Sequence, residues 1–114
     1  MLSPETFEER MPVWTALSQL FLDTEQSEAE IAWIAGQLRQ SPYNTAELEH
    51  ILRDEVAPAF SPNLLSVAGE WAGWSEADIR EIMTRSLRKS RGIGRFFRVR
   101  IIPEEWPRIK ALLT

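Results

Sequence analysis

The chain contains no cysteine and a single histidine, His50. Without thiols there is neither a disulfide nor a thiolate metal site, and with one imidazole any zinc ligation would rest on carboxylates. Absence of cysteine fits a reducing compartment. No apolar run approaches the roughly eighteen residues a membrane span requires, and Met1-Leu2-Ser3-Pro4-Glu5 offers neither the basic nor the apolar region of a secretory signal. The expectation is a cytoplasmic protein with no membrane span, no metal and no cofactor. Basic residues are also scarce over most of the length. From Met1 to Thr84 there are 15 acidic residues against 4 basic, a balance of −11, whereas Arg85 to Thr114 holds 9 basic against 2 acidic, a balance of +7. Segregated charge of this kind suits a charged partner. The acidic total disfavours general nucleic-acid binding, which depends on many cationic phosphate contacts.

What is present suffices for one domain spanning residues 1–114: 44% hydrophobic residues and five tryptophans in 114 argue against disorder and for a single core. The apolar spacing is mostly helical. Val13, Trp14, Leu17, Leu20 and Phe21 form one stripe, with Pro12 in the first turn and Ser3–Met11 as a separate lead-in or kinked extension. Ser27-x-x-Glu30 reads as a capping box before Ile31, Ile34, Ala35 and Leu38. Asn44-x-x-Glu47 opens a third helix with Leu48, Ile51, Leu52 and Val56 inward, ended by Pro58. Ser61-Pro62 predicts the start of a short helix over Leu64, Leu65 and Val67 with Gly69 as its stop. Ser75-x-x-Asp78 starts a helix carrying Ile79, Ile82, Met83 and Leu87, halted by Gly92 and Gly94. Phe97–Ile101 alternates as a strand, and Pro103-Glu104 begins a last helix with Trp106, Ile109 and Leu113 inward. The expected class is all-α: a compact bundle of five or six short helices with a minor β element near the C-terminus. A lone strand needs a partner, which a local ribbon or a second copy in a homodimer would supply.

Catalytic constellations are hard to find. His50 has Glu47 three residues before and Asp54 four after, a carboxylate–histidine spacing that an exposed helical histidine also produces. The acids at Glu8/Glu9, Asp54/Glu55 and Glu76/Asp78/Glu81 fit solvation and helix N-termini better than a two-acid cleft. Gly92-Ile93-Gly94-Arg95 superficially resembles a phosphate-binding turn but follows a helix and precedes a strand, the reverse of the order such loops use. Glu70, between two tryptophans and two glycines in Gly69-Glu70-Trp71-Ala72-Gly73-Trp74, is either a perturbed acid or part of a tight structural corner. A basic region, Arg85, Arg88, Lys89, Arg91, Arg98 and Arg100 with Phe96 and Phe97 interleaved, could stack and pair with single-stranded nucleic acid, or simply pair with the acidic helices upstream.

The strings Pro12-Val13-Trp14-x-Ala16-Leu17-Ser18-x-Leu20-Phe21-Leu22-Asp23-Thr24-Glu25, Ser41-Pro42-Tyr43, Glu55-Val56-Ala57-Pro58 and Asn63-Leu64-Leu65-Ser66-Val67-Ala68-Gly69-Glu70-Trp71-Ala72-Gly73 resemble a family of short bacterial proteins known as a domain of unknown function. The resemblance covers roughly residues 10–90, stops at Gly92, implies a bacterial cytoplasmic protein and brings no catalytic residue or cofactor.

The leading reading is a non-enzymatic protein-binding module, in concrete form an immunity- or antitoxin-like inhibitor of a cognate toxin. A basic protein partner would be steered by an acidic face of Asp23, Glu25, Glu28, Glu30, Glu47, Glu49 and Asp54. The alternative is a nucleic-acid-binding regulator using the basic region. A third reading is an enzyme centred on Glu70 with Tyr43 or His50 nearby.

Overall fold

The computed structural model describes residues 2–22, 25–65, 72–89 and 100–114. The fold is all-α. Helix α1 (Pro4–Ser18) runs into a single 3-10 turn (Gln19–Phe21), and α2 (Glu28–Arg39) follows. Helix α3 (Thr45–Ile51) continues without a break through a π-helical stretch (Leu52–Val56) into α4 (Ala57–Leu65). Helices α5 (Glu76–Lys89) and α6 (Trp106–Leu113) complete the described elements.

Local chemistry accounts for the helix starts. Ser3 caps α1 by accepting from the Thr6 amide, and Ser27 caps α2 by accepting from that of Glu30. Asn44 and Glu47 form a complete reciprocal box at α3, with bonds of 2.8 and 2.9 Å. Ser75 and Asp78 do the same before α5, at 3.1 and 3.2 Å. Each arrangement satisfies amides that a helix N-terminus otherwise leaves unpaired. Gly73, with φ +116°, occupies backbone space closed to other residues and turns the chain into this last box.

The prolines behave differently from expectation. Pro12 lies inside a continuous α1, so of the two readings of Ser3–Met11 the separate lead-in does not form and the segment extends the helix instead. Pro58 does not end the third helix. The turn before it widens instead, with the Ala57 amide reaching back to the Leu52 carbonyl, five residues away. A proline ring presses on the carbonyl four residues earlier, and a wider turn moves that carbonyl away. Ser61 is no cap either: it is buried within α4, and its Oγ accepts from the Ile101 amide at 2.8 Å. Leu65 faces solvent, 62% exposed. The last helix begins at Trp106, after a turn at Glu104-Glu105.

The expected strand falls mostly outside the described residues. Arg100 and Ile101 are in irregular backbone, and no strand occurs among the described residues, so the minor β element is not borne out. Glu70 with Gly69 and Trp71, and the Gly92–Arg95 turn, also lie outside them; of the expected corner only Ala72, Gly73 and Trp74 are described.

Helix α1 is central: it packs against α2, the π-helical stretch and α5, while α6 lies on α2. Trp14, Leu17 and Phe21 meet Ile31, Ile34 and Leu38 from α2 and Ile51, Leu52 and Val56 from the long helix, with Ile79, Met83 and Ile109 closing the core. Phe7 sets its ring edge against Trp14 with centroids 4.8 Å apart, and Phe60 stacks obliquely on Trp74 at the same separation. Among the described residues no buried side-chain nitrogen or oxygen lacks a hydrogen bond. Replacing Asn44 with alanine removes one half of the reciprocal box, and we expect a loss of about 1 kcal/mol, read as a lowered denaturation midpoint with an unchanged slope.

Candidate functional site

Two features of the fold concentrate polar side chains: a half-buried cluster between α1 and the long helix, and the charged outer surface. The cluster is organised by Glu55, in the π-helical stretch. Its Oε2 pairs with Arg10 and its Oε1 accepts from the Trp14 indole at 2.9 Å. The two charged side chains are 11% and 19% exposed. The Arg10 guanidinium lies 5.6 Å from the Tyr43 ring centre and donates through Nε to the Tyr43 hydroxyl at 3.4 Å. That hydroxyl donates in turn to Glu9 at 2.8 Å. Burial works against the Arg10 charge, but Tyr43 and Glu55 outweigh it and hold its pKa above the ordinary arginine value. Burial, then the bond to Glu9, raises the Tyr43 hydroxyl. Neither is poised for proton transfer near neutrality.

A concavity of about 360 Å³ opens beside this cluster, lined by Arg10, Tyr43, Asn44, Ala46, Glu47, His50 and Ile51. Tyr43 and His50 thus share one surface feature, whereas Glu70 is outside the described residues. His50 Nδ1 pairs with Asp54 at 2.7 Å and is largely exposed, while Glu47 turns to its own helix cap. Among the described residues, no three His, Cys, Asp or Glu side chains gather as a metal site.

The expected acidic face is partly neutralised from within. Glu28 pairs with Arg108, and Asp54 lies 3.7 Å from Arg100. Glu49 accepts from the Trp106 indole at 2.9 Å and from Lys110 at 3.2 Å. These contacts, the indole bond first, lower the Glu49 pKa. Arg100, Arg108 and Lys110 are thus folded back onto acids of α2 and the long helix. Glu25, Glu30 and Glu47 remain exposed, and Asp23 lies outside the described residues. In the basic region Arg85 pairs with Glu81 of its own helix at 2.7 Å, while Arg88 and Lys89 are exposed at the end of α5. Arg91, Arg98 and the two phenylalanines Phe96 and Phe97 lie outside the described residues.

Sequence reasoning missed Trp33 and Arg10. Trp33 is 49% exposed, whereas Trp14 and Trp106 are buried. It projects from α2 away from Ile31, Ile34 and Leu38, beside exposed Ala29, Glu30 and Ala32, and a Cβ added at Gly36 would meet nothing. Its position off the apolar stripe was the available signal. Arg10, the first cation of a strongly acidic stretch, carried a weaker one.

Residues 8–111 match the family model described as Domain of unknown function (DUF7079), and the chain belongs to that family. No curated protein and no solved structure matches it. The family match continues well past Gly92, so the C-terminal segment is part of the domain and not an addition particular to this chain.

Glu55→Gln keeps an acceptor for Trp14 but leaves Arg10 with an uncompensated, mostly buried charge. We expect a stability loss of about 3 kcal/mol by chemical denaturation. Glu49 has a folded pKa below its unfolded value, so its contribution is complete above the ordinary glutamate pKa of about 4.3 and fades as pH falls below it. Thermal midpoints measured against pH are expected to fall less steeply in that acid range for Glu49→Gln than for the unmodified chain.

Proposed function

We propose that the protein is a non-enzymatic binding module that holds a basic protein partner through the outward face of α2. The observation that carries this reading is Trp33, about half exposed on a helix whose other large apolar residues are buried. A rigid aromatic amid small neighbours is the anatomy of an interface anchor. Glu30 on the same helix and Glu25 just before it supply unneutralised negative charge that would steer a cationic surface. Acids committed to Arg108, Lys110 and Arg100 serve the fold in this reading and are not its contact residues.

A basic bacterial toxin, with this chain as its immunity or antitoxin-like inhibitor, is the concrete partner we put forward, acting in the bacterial cytoplasm. Small size, cysteine-free composition and acidic charge support it. The alternative, a nucleic-acid-binding regulator, draws on the exposed Arg88 and Lys89 at the end of α5.

The test is affinity capture of the tagged protein from its host, followed by quantitative binding with the recovered partner. We expect one stoichiometric basic protein whose affinity drops at least about tenfold with Trp33→Ala and falls again with Glu30→Arg, while far-ultraviolet circular dichroism stays unchanged. A partner indifferent to both substitutions overturns the assignment of this face. Co-purifying nucleic acid whose binding collapses with salt would transfer the function to α5.

A further inference from the structure

Helix α5 carries a second, independent surface. Its buried residues, Ile79, Met83 and Ser86, lie on one side, and Ala77, Glu81, Thr84 and Arg88 run along the opposite one. The charges on that outward face are divided by position. Acids Asp78 and Glu81 occupy the first half, and Arg85 and Arg88 the second, all four exposed, with Glu81 and Arg85 also paired along the helix and Asp78 also accepting from the Ser75 amide. Along the flank toward α1 lies an apolar groove of about 410 Å³, walled by Leu2, Pro4, Phe7 and Leu87. The Glu8–Arg80 ion pair sits at that groove, with the Arg80 guanidinium 5.7 Å from the Phe7 ring centre.

We infer that this face pairs with the same face of a second copy, α5 antiparallel to α5, about a two-fold axis. The charge order is what selects that occupant. In an antiparallel pair, positions whose numbers share a constant sum lie opposite each other. Glu81 then faces Arg85 of the second copy while Asp78 faces its Arg88, and symmetry repeats both pairs in the other direction. A two-fold contact also keeps each flank on its own side, so the apolar groove of one chain meets that of the other rather than a charged edge. A parallel arrangement would oppose like charges and is disfavoured.

The face is separate from that of Trp33. Helices α2 and α5 both pack on α1, and a dimer joined through α5 would present two Trp33 surfaces. Exposed ion pairs contribute little individually, so the association is weak and sensitive to salt.

Sedimentation velocity on the full chain tests the inference. The unmodified protein should dimerise with rising concentration, and raising NaCl from about 0.05 M to about 0.5 M should weaken association roughly tenfold. Glu81→Arg and Arg85→Glu each place like charges across the axis and should be monomeric alone, whereas their equimolar mixture should recover a heterodimer. If either charge reversal disturbs the helix by circular dichroism, Glu81→Gln and Arg85→Gln replace them, each weakening association by roughly threefold to tenfold. A chain that stays monomeric at every attainable concentration overturns the inference. So does a dimer indifferent to these substitutions, which would join through another surface such as residues 97–101.

Discussion

The structure hangs on one carboxylate. Glu55 receives Arg10 and the Trp14 indole together, and it thereby ties the central helix to the long helix at the point where that helix widens. A mostly buried ion pair of this kind adds little net stability, because desolvation consumes most of what attraction returns. Its effect is on register. Arg10 and Trp14 are one helical turn apart, and only one rotation of α1 presents both to the same carboxyl group. The π-helical stretch is part of the same device: it relieves the clash at Pro58 and sets the direction in which Glu55 leaves the backbone. Once α1 is fixed, the side chains that receive α2 and α5 are fixed with it.

A second organising principle is electrostatic closure. The separation of charge along the chain is partly cancelled in space, since Arg100, Arg108 and Lys110 return to Asp54, Glu28 and Glu49. Partner surfaces therefore cannot be deduced from composition by segment. They have to be sought in what closure leaves over: Trp33 with Glu25 and Glu30 on one side, and exposed Arg88 at the end of α5 on another.

Much of this was legible in the sequence. The stripe Ile31, Ile34, Ala35 and Leu38 contains all the buried residues of α2, and the helix starts read at Asn44 and Ser75 fall where side-chain chemistry placed them, whereas the capping box read at Ser27/Glu30 forms only its Ser27 half. Proline was the misleading signal. At positions 12, 58 and 62 it marked helix boundaries by local rule, yet all three lie inside helices. Surrounding packing, and for Pro58 a widened turn, absorbs a defect that an isolated peptide could not. The proposed partner surface was less visible for a related reason. Periodicity identifies what points inward, and an exposed tryptophan interrupts that pattern without announcing its purpose. The acids could be counted, but which of them would be met by distant cations depends on a tertiary arrangement that no local spacing encodes.

The return of the C-terminal segment bears on how the chain reaches this state during synthesis. Trp106 bonds Glu49 from 57 positions away, Arg39 reaches the carbonyl of Leu112 across 73, and Ile101 meets Ser61 across 40. Helices α1 to α3 are capped by residues just before them, but the side of α2 that α6 covers stays open until residue 113 has left the ribosome. A nascent chain therefore waits with part of its core unsealed until α6 has been translated.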